Sequence, residues 1–175
     1  MSETRLVEWQ IVPLSRDCDR SKFSCGQSEL DDWLQKSANQ SQGIGYSRTY
    51  IAVRTGDRAV AGYYALAVSS VEFEHLPEEH RKKLPRHPVP VMLLARLAVD
   101  RTSQRQGLGG FLLADSIDRT LRMSEEAGIH AMAVDAMTDD AKTFYEKNGF
   151  EPLLDDRRHL FLSLKAARRA QERAR

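Results

Sequence analysis

The sequence predicts an α/β fold, a mixed sheet with helices on both faces. Three observations carry this expectation. Strand-like and helix-like runs follow one another in the order β-α-β-β-β-α-β-α-β-β. Two runs, VMLLARLAVD (91–100) and HAMAVDAM (130–137), are almost continuously apolar, as strands buried on both sides are. No repeat, low-complexity tract or linker divides the chain, and its 175 residues are enough for one domain with a substantial core.

Each element has a local reason. LVEWQIVPL (6–14) reads as a short first strand. SELDDWLQKSANQSQ (28–42) reads as a helix with Ser28 as N-cap and acids Glu29, Asp31 and Asp32 in the first turn, where the dipole favours them. Its apolar face is Leu30, Trp33 and Leu34, and Gly43 and Gly45 end it. SRTYIAVR (47–54) and AVAGYYALAVSSVEF (59–73) are strands on either side of the Thr55-Gly56-Asp57 turn. A polar, proline-punctuated connection runs from His75 to Pro90, ahead of the first buried strand. A long helix over 107–127 carries Leu108, Leu112, Leu113, Ile117 and Leu121 as its stripe. DDAKTFYEKNGF (139–150) is a short helix opened by acids and closed by Gly149. EPLLD (151–155) and HLFLSLK (159–165) are two last strands, a hairpin around Asp155–Arg158.

Composition narrows the class. The chain is 41% hydrophobic and 29% charged, and no apolar run approaches the roughly 20 residues of a membrane-spanning helix. MSETRLVEWQ lacks the basic-then-apolar pattern of a secretion signal. Cys18 and Cys25 make neither a disulfide framework nor a metal site. The expectation is a cytoplasmic protein without a metal or a membrane partner, with one domain over 1–165 and a basic tail over 166–175. Net charge is only +1, which argues against a generic nucleic-acid binder. Its distribution is uneven, because Arg157–Arg175 holds seven basic residues and one acid, leaving 19 and 24 before it. That end reads either as a polyanion-binding arm or as a solvated helix.

The chemistry-bearing signal is the run Gln104-Arg105-Gln106-Gly107-Leu108-Gly109-Gly110, between the strand ARLAVD and the long helix. A helix N-terminus presents unpaired N–H groups and partial positive charge, and glycine lets an anion approach the backbone. The run is neither G-x-x-x-x-G-K-[ST] nor G-x-G-x-x-G with an acid about 20 residues on, so P-loop and Rossmann readings fail. Taken alone, the glycines serve turn geometry as readily as a ligand.

With its setting, the run resembles the GNAT acetyltransferase superfamily. Gln104, Gly107 and Gly109 match the family's R/Q-x-x-G-x-G/A loop, and Phe144-Tyr145-Glu146-Lys147-Asn148-Gly149-Phe150 resembles its later F-Y-x-x-x-G-F segment. The resemblance covers about 50–164. It implies the GNAT fold, a mostly antiparallel sheet with a central, splayed parallel pair of strands, Val91–Val99 and His130–Ala136. It further implies acetyl-CoA as cosubstrate, lodged between those strands. Amides of Leu97 and Val99, with Ala98 between them, are the candidates for pantetheine and thioester, and those of Gln106 to Gly110 for the diphosphate.

The implied reaction needs a neutral amine, a stabilised oxyanion and a proton for the departing thiolate. Family enzymes commonly use the tyrosine matching Tyr145 as that acid; its other reading is core packing beside Phe144. Tyr ionises near 10 and a thiol near 8.5, so the transfer runs uphill unless the thiolate is poorly solvated. No general base stands out; Glu72, Glu74 and His75 follow a strand and are its candidates. Such a lack favours an α-amine, of pKa near 8, over lysine near 10.4.

DDWL, SRTYIAV, AGYYALAVSSV, PVPVMLLARLAVD and DDAKTFYEKNGF together resemble one branch, the acetyltransferase toxins of toxin–antitoxin pairs. This branch implies acetylation of the α-amine of aminoacyl-tRNA and a block of translation. It also implies an antitoxin with a ribbon–helix–helix part and a homodimer. Arg48, Arg81, Lys82, Lys83, Arg86 and Arg96 are candidates for tRNA contact, as are His87, Arg157 and Arg158. Arg96 reads equally as a structural ion pair and the 81–87 loop as a solvated one. Tyr50, Tyr63 and Tyr64 are candidates for stacking on nucleotides, with alternation splitting adjacent strand tyrosines between core and surface. The alternative function is acetylation of a small-molecule or protein amine without a toxin role.

Overall fold

The computed structural model describes residues 8–175. Residues 6 and 7 of the expected first strand lie outside the described residues. Seven strands follow the order β1-β2-β3-β4-β5-β7-β6, with β4 and β5 pairing in parallel. The pairs β1–β2, β2–β3, β5–β7 and β6–β7 are antiparallel, so the mixed sheet is as expected. The chain divides into two compact units, each with its own core. One comprises the chain up to Leu66 with Arg96–Asp115, and the other Ala67–Ala95 with Ser116–Arg175.

In the first unit, β1 (Trp9–Pro13), β2 (Arg48–Arg54) and the start of β3 (Gly62–Val71) form an antiparallel meander. The helical stretch between β1 and β2 is α1 (Ser28–Asp32), a π-helical turn (Trp33–Ser37) and α2 (Ala38–Gly43). Ser28 is not the N-cap: Gln27 holds that position, and the Asp31 carboxylate instead takes the Cys25 N–H at 2.8 Å. Leu30, Leu34 and Ala38 lie in a cluster with Phe23, Ile51 and Tyr63.

Tyr63 and Tyr64 are both fully buried, which corrects the expected split. Alternation does send them to opposite faces, but both faces are covered there. Tyr63 stacks on Trp33 and donates its hydroxyl to the Leu30 carbonyl at 2.7 Å. Tyr64 donates to Asp115 at 2.5 Å and stacks on Tyr50. Neither of the two offers a ring to a nucleotide. Gly62 is where α4 (Leu108–Met123) meets the strand: a Cβ there would lie 2.8 Å from Leu112 Cδ1 and 3.1 Å from the Ala98 carbonyl.

In the second unit, β4 (Val89–Val99) contributes its first residues, followed by β5 (Ala131–Asp135), β6 (Glu151–Pro152) and β7 (His159–Ser163). Its core includes Leu76, Val89, Val91, Ala131, Ala133, Leu153 and Phe161. The long connection before β4 carries a 3-10 turn, Phe73–His75, and α3 (Glu78–Arg81). On the second half of α4, Ser116 and Thr120 are buried while Ile117 is only half-buried; Thr120 satisfies its hydroxyl on the Ser116 carbonyl at 2.8 Å. α5 (Asp139–Lys147) ends at Gly149, whose φ of 93° fits a residue past a helix end. The basic end of the chain is helical: α6 spans Leu164–Arg173.

Candidate active site

The register of β4 with β5 ends at the pair Leu94↔Val134, and β4 runs on to Val99. On that extension the Asp100 N–H donates to the Ala61 carbonyl of the β3 side at 2.8 Å. Backbone groups alternate along a strand, so Ala98 shares the direction of Asp100. The amides of Leu97 and Val99 therefore face away from β3. Sequence alone left this parity open.

The chain then turns through Arg101–Ser103. Asp100 accepts from Ser24 N, Thr102 N and Thr102 Oγ1; partial burial opposes its ionisation, but these bonds outweigh it and hold the carboxyl below its ordinary value. Gln104 donates its side-chain amide to the carbonyls of Val99 and Cys25, both at 2.9 Å. Gln106 donates to the Thr102 carbonyl at 3.3 Å. Arg105 and Gly107 have φ of 63° and 83°, so the turn needs the left-handed region twice and places glycine at the second. The first helical bond runs from Phe111 N to the Gly107 carbonyl at 3.1 Å, which leaves the N–H groups of Leu108, Gly109 and Gly110 ahead of any intrahelical acceptor. A Cβ at Gly107 or Gly110 would meet nothing within 4 Å. Packing does not demand these two glycines; the backbone there is open to a ligand. Trp9, Thr55, Gln106, Gly107 and Phe111 line a concavity of about 640 Å³ beside the turn. Unclaimed donors at a helix start are the fit a diphosphate requires.

Tyr145 sits on α5, in the second unit. Thr138 caps that helix, its hydroxyl accepting from Ala141 N at 3.1 Å. Arg158 ties the same end down, with Nη2 3.1 Å from Asp139 and Nη1 donating to the Met137 carbonyl at 3.1 Å. The Tyr145 ring packs against Phe144 and Phe150 at centroid distances of 5.2 and 5.5 Å and is 6% exposed. Burial pushes its phenol well above the ordinary tyrosine value, so it stays protonated. No hydrogen bond from its hydroxyl is seen among the described residues. The ring fills core between Phe144 and Phe150.

The basic candidates separate into several environments. Arg81 lies over the Phe73 ring at 5.8 Å with its Nε buried, whereas Lys82, Lys83 and Arg86 are exposed on the segment after α3, as is His87. Arg48 is exposed on β2. Arg96 stacks on Trp33 at 4.3 Å, a cation–π contact rather than an ion pair. Arg157 is exposed on the β6–β7 hairpin. Glu72 and Glu74 are exposed, and His75 lies 3.8 Å from Asp155. A network absent from the sequence reading lies beside that pair: His159 sits between Asp155, at 2.6 Å, and Asp135. Register brings Asp135 opposite His159, a contact that only strand pairing reveals.

The acetyltransferase (GNAT) domain family matches residues 45–152, and the chain belongs to this family. It is an N-acetyltransferase that takes acetyl-CoA as donor. Among the proteins it is similar to, the tRNA-acetylating toxin of Mycobacterium tuberculosis (strain ATCC 25618 / H37Rv) is 43% identical over 150 residues, which is 86% of this chain and 89% of that protein. AtaT complexed with acetyl-methionyl-tRNAfMet superposes with a TM-score of 0.88 at 33% identity, over 94% of this chain and 99% of that one. A tyrosine-to-phenylalanine mutant of AtaT, bound to the C-terminus of the antitoxin AtaR and acetyl-CoA, superposes at 0.79 with 29% identity, over 93% and 98%. No helix among the described residues is long and apolar enough to cross a membrane.

Proposed function

We propose that this chain is the toxin of a toxin–antitoxin pair, and that it acetylates the α-amine of an aminoacyl-tRNA and so blocks translation. The unclaimed donor row along the end of β4 and the start of α4 carries this reading, with the tRNA-acetylating relatives supplying the acceptor. Acetyl-CoA, when bound, brings the acetyl group as a thioester.

The residues divide the work. N–H groups of Gln106 to Gly110 hold the diphosphate, aided by the positive end of the α4 dipole. Gln104 and Arg105 shape the turn that presents them. Leu97 and Val99 donate to the pantetheine and to the oxygen that gains charge during attack, from N–H groups that the strand already orients. Tyr145 gives its proton to the departing sulfur. A phenol held neutral by burial is a weak acid, and the same dry surroundings raise the affinity of a thiolate for a proton, which offsets the mismatch. No side chain needs to deprotonate the attacking amine, since an α-amine near pKa 8 is partly neutral at pH 7.

Arg48, Arg81, Lys82, Lys83, Arg86 and Arg96 remain the candidate tRNA contacts outside the C-terminal helix. The expected partner is a small antitoxin with a ribbon–helix–helix part whose tail covers the site. A homodimer, one acetyltransferase domain over 1–165 and a cytoplasmic location complete the proposal. Incubation with labelled acetyl-CoA and total charged tRNA tests it. Label recovered as an N-acetyl-aminoacyl ester supports the proposal, and label confined to protein lysines overturns it.

A further inference from the structure

We infer that the outer face of α6 docks the sugar-phosphate backbone of the tRNA, an inference that rests on the tRNA reading above. The helix is built to hold one face inward. Ser163 caps it through a bond from Ala166 N to its hydroxyl at 3.1 Å. Leu164 and Ala167 are buried, and Gln171 is half-buried. Two side chains clamp it further: Arg168 donates to the Ser124 hydroxyl at 2.8 Å and Gln171 to Asp118 at 3.4 Å.

The opposite face is basic. Lys165, Arg169 and Arg173 recur every fourth residue and are exposed. At about 100° per residue they form one ridge, about half a turn from the stripe of Leu164, Ala167 and Gln171. Neighbouring members stand roughly 6 Å apart along the axis, a spacing that successive phosphates of one strand can meet. Among the described residues none of the three has a carboxylate within ion-pair distance. Glu172, the one acid of the helix, lies beside the ridge without pairing to it. The clamped helix holds the three cations in one row with no backbone ordering left to do when a polyanion arrives, and release of its counterions supplies the driving force. A merely solubilising helix would gain as much from mixed charges.

The full-length chain tests this, with uncharged tRNA as probe and filter binding across a salt series. The variant Lys165→Gln/Arg169→Gln/Arg173→Gln should weaken binding at least fivefold near 150 mM salt. It should also flatten the log–log salt slope by roughly two to three, since each lost phosphate contact removes about 0.7–0.9. KM for charged tRNA should rise in step while KM for acetyl-CoA is unchanged. A control of equal charge, Arg16→Gln/Lys22→Gln/Lys36→Gln, should keep the wild-type slope. Arg169→Gln alone should move the slope by about one, and Arg169→Lys should not, which covers the case in which the triple variant unravels the helix. Equal losses in the two triple variants, or none in the α6 variant while tRNA is still acetylated, overturn the inference alone. If wild-type protein neither binds nor acetylates tRNA yet still transfers acetyl groups to a small amine, the tRNA reading fails first.

Discussion

Gln104 donates its side-chain amide to the carbonyl of Val99, 2.9 Å away, and so ties the end of β4 to the glycine turn five residues later. A second bond from the same nitrogen reaches Cys25, 79 residues earlier in the chain. The side chain shapes the turn and leaves its backbone amides free.

Gln104→Ala should therefore weaken acetyl-CoA without unfolding the protein. Each lost bond is worth about 0.5–1.5 kcal/mol, so the Kd measured by calorimetry should rise roughly tenfold. An unchanged Kd would show that the turn holds its shape unaided.

Tyr145→Phe separates packing from chemistry. The ring keeps its contacts with Phe144 and Phe150, and no hydrogen bond among the described residues is lost, so Tm and acetyl-CoA affinity should match wild type. Turnover should fall by about 10²–10⁴, the usual contribution of a general acid. Retention of full activity would remove the tyrosine from the mechanism.

Gly62→Ala tests the contact between α4 and β3. Its Cβ would lie 2.8 Å from Leu112 Cδ1 and 3.3 Å from Leu108 Cδ2, so overpacking should cost about 1–3 kcal/mol and lower Tm by several degrees. Leu112→Val in the same chain should recover part of that loss, because the two sites share one space. Additive losses in the double variant would place the strain elsewhere.

The His159–Asp155 pair should make stability depend on pH in two directions. Burial alone would lower the pKa of His159, but the Asp155 hydrogen bond and the charges of Asp135, Asp155 and Asp156 outweigh it and raise the pKa. Its contribution is then complete below the ordinary histidine value of about 6.5 and is lost as pH rises through the raised one. Asp155 behaves oppositely: burial raises it, yet the His159 bond and the charges of His159 and His75 bring it below its ordinary 3.8. Its share is present above that value and fades as pH falls through the lowered one. Urea midpoints of wild type and His159→Gln should thus differ most between the ordinary values of about 3.8 and 6.5 and converge as pH rises past the raised histidine value. A gap that stays constant with pH would mean that the network acts through packing.

Local signals made most of this molecule readable from its sequence. The apolar runs of β4 and β5, the Leu stripe at the start of α4, Gly149 and the motif placing Tyr145 are short-range patterns, and physics within a turn or a strand decides them. What needed the tertiary structure were facts about which surfaces meet. Alternation correctly sends Tyr63 and Tyr64 to opposite sides, but only the helices covering both faces bury the two rings together. The basic composition of the last residues was visible at once; that Lys165, Arg169 and Arg173 stand unpaired on one face was not, because pairing depends on what α6 packs against. The direction of the Leu97 and Val99 amides follows from a bond between Asp100 and Ala61, and the His159 network from the register of β5 with β7. Sequence patterns set each segment's own periodicity, whereas hydrogen-bond parity and burial belong to pairs of segments distant along the chain.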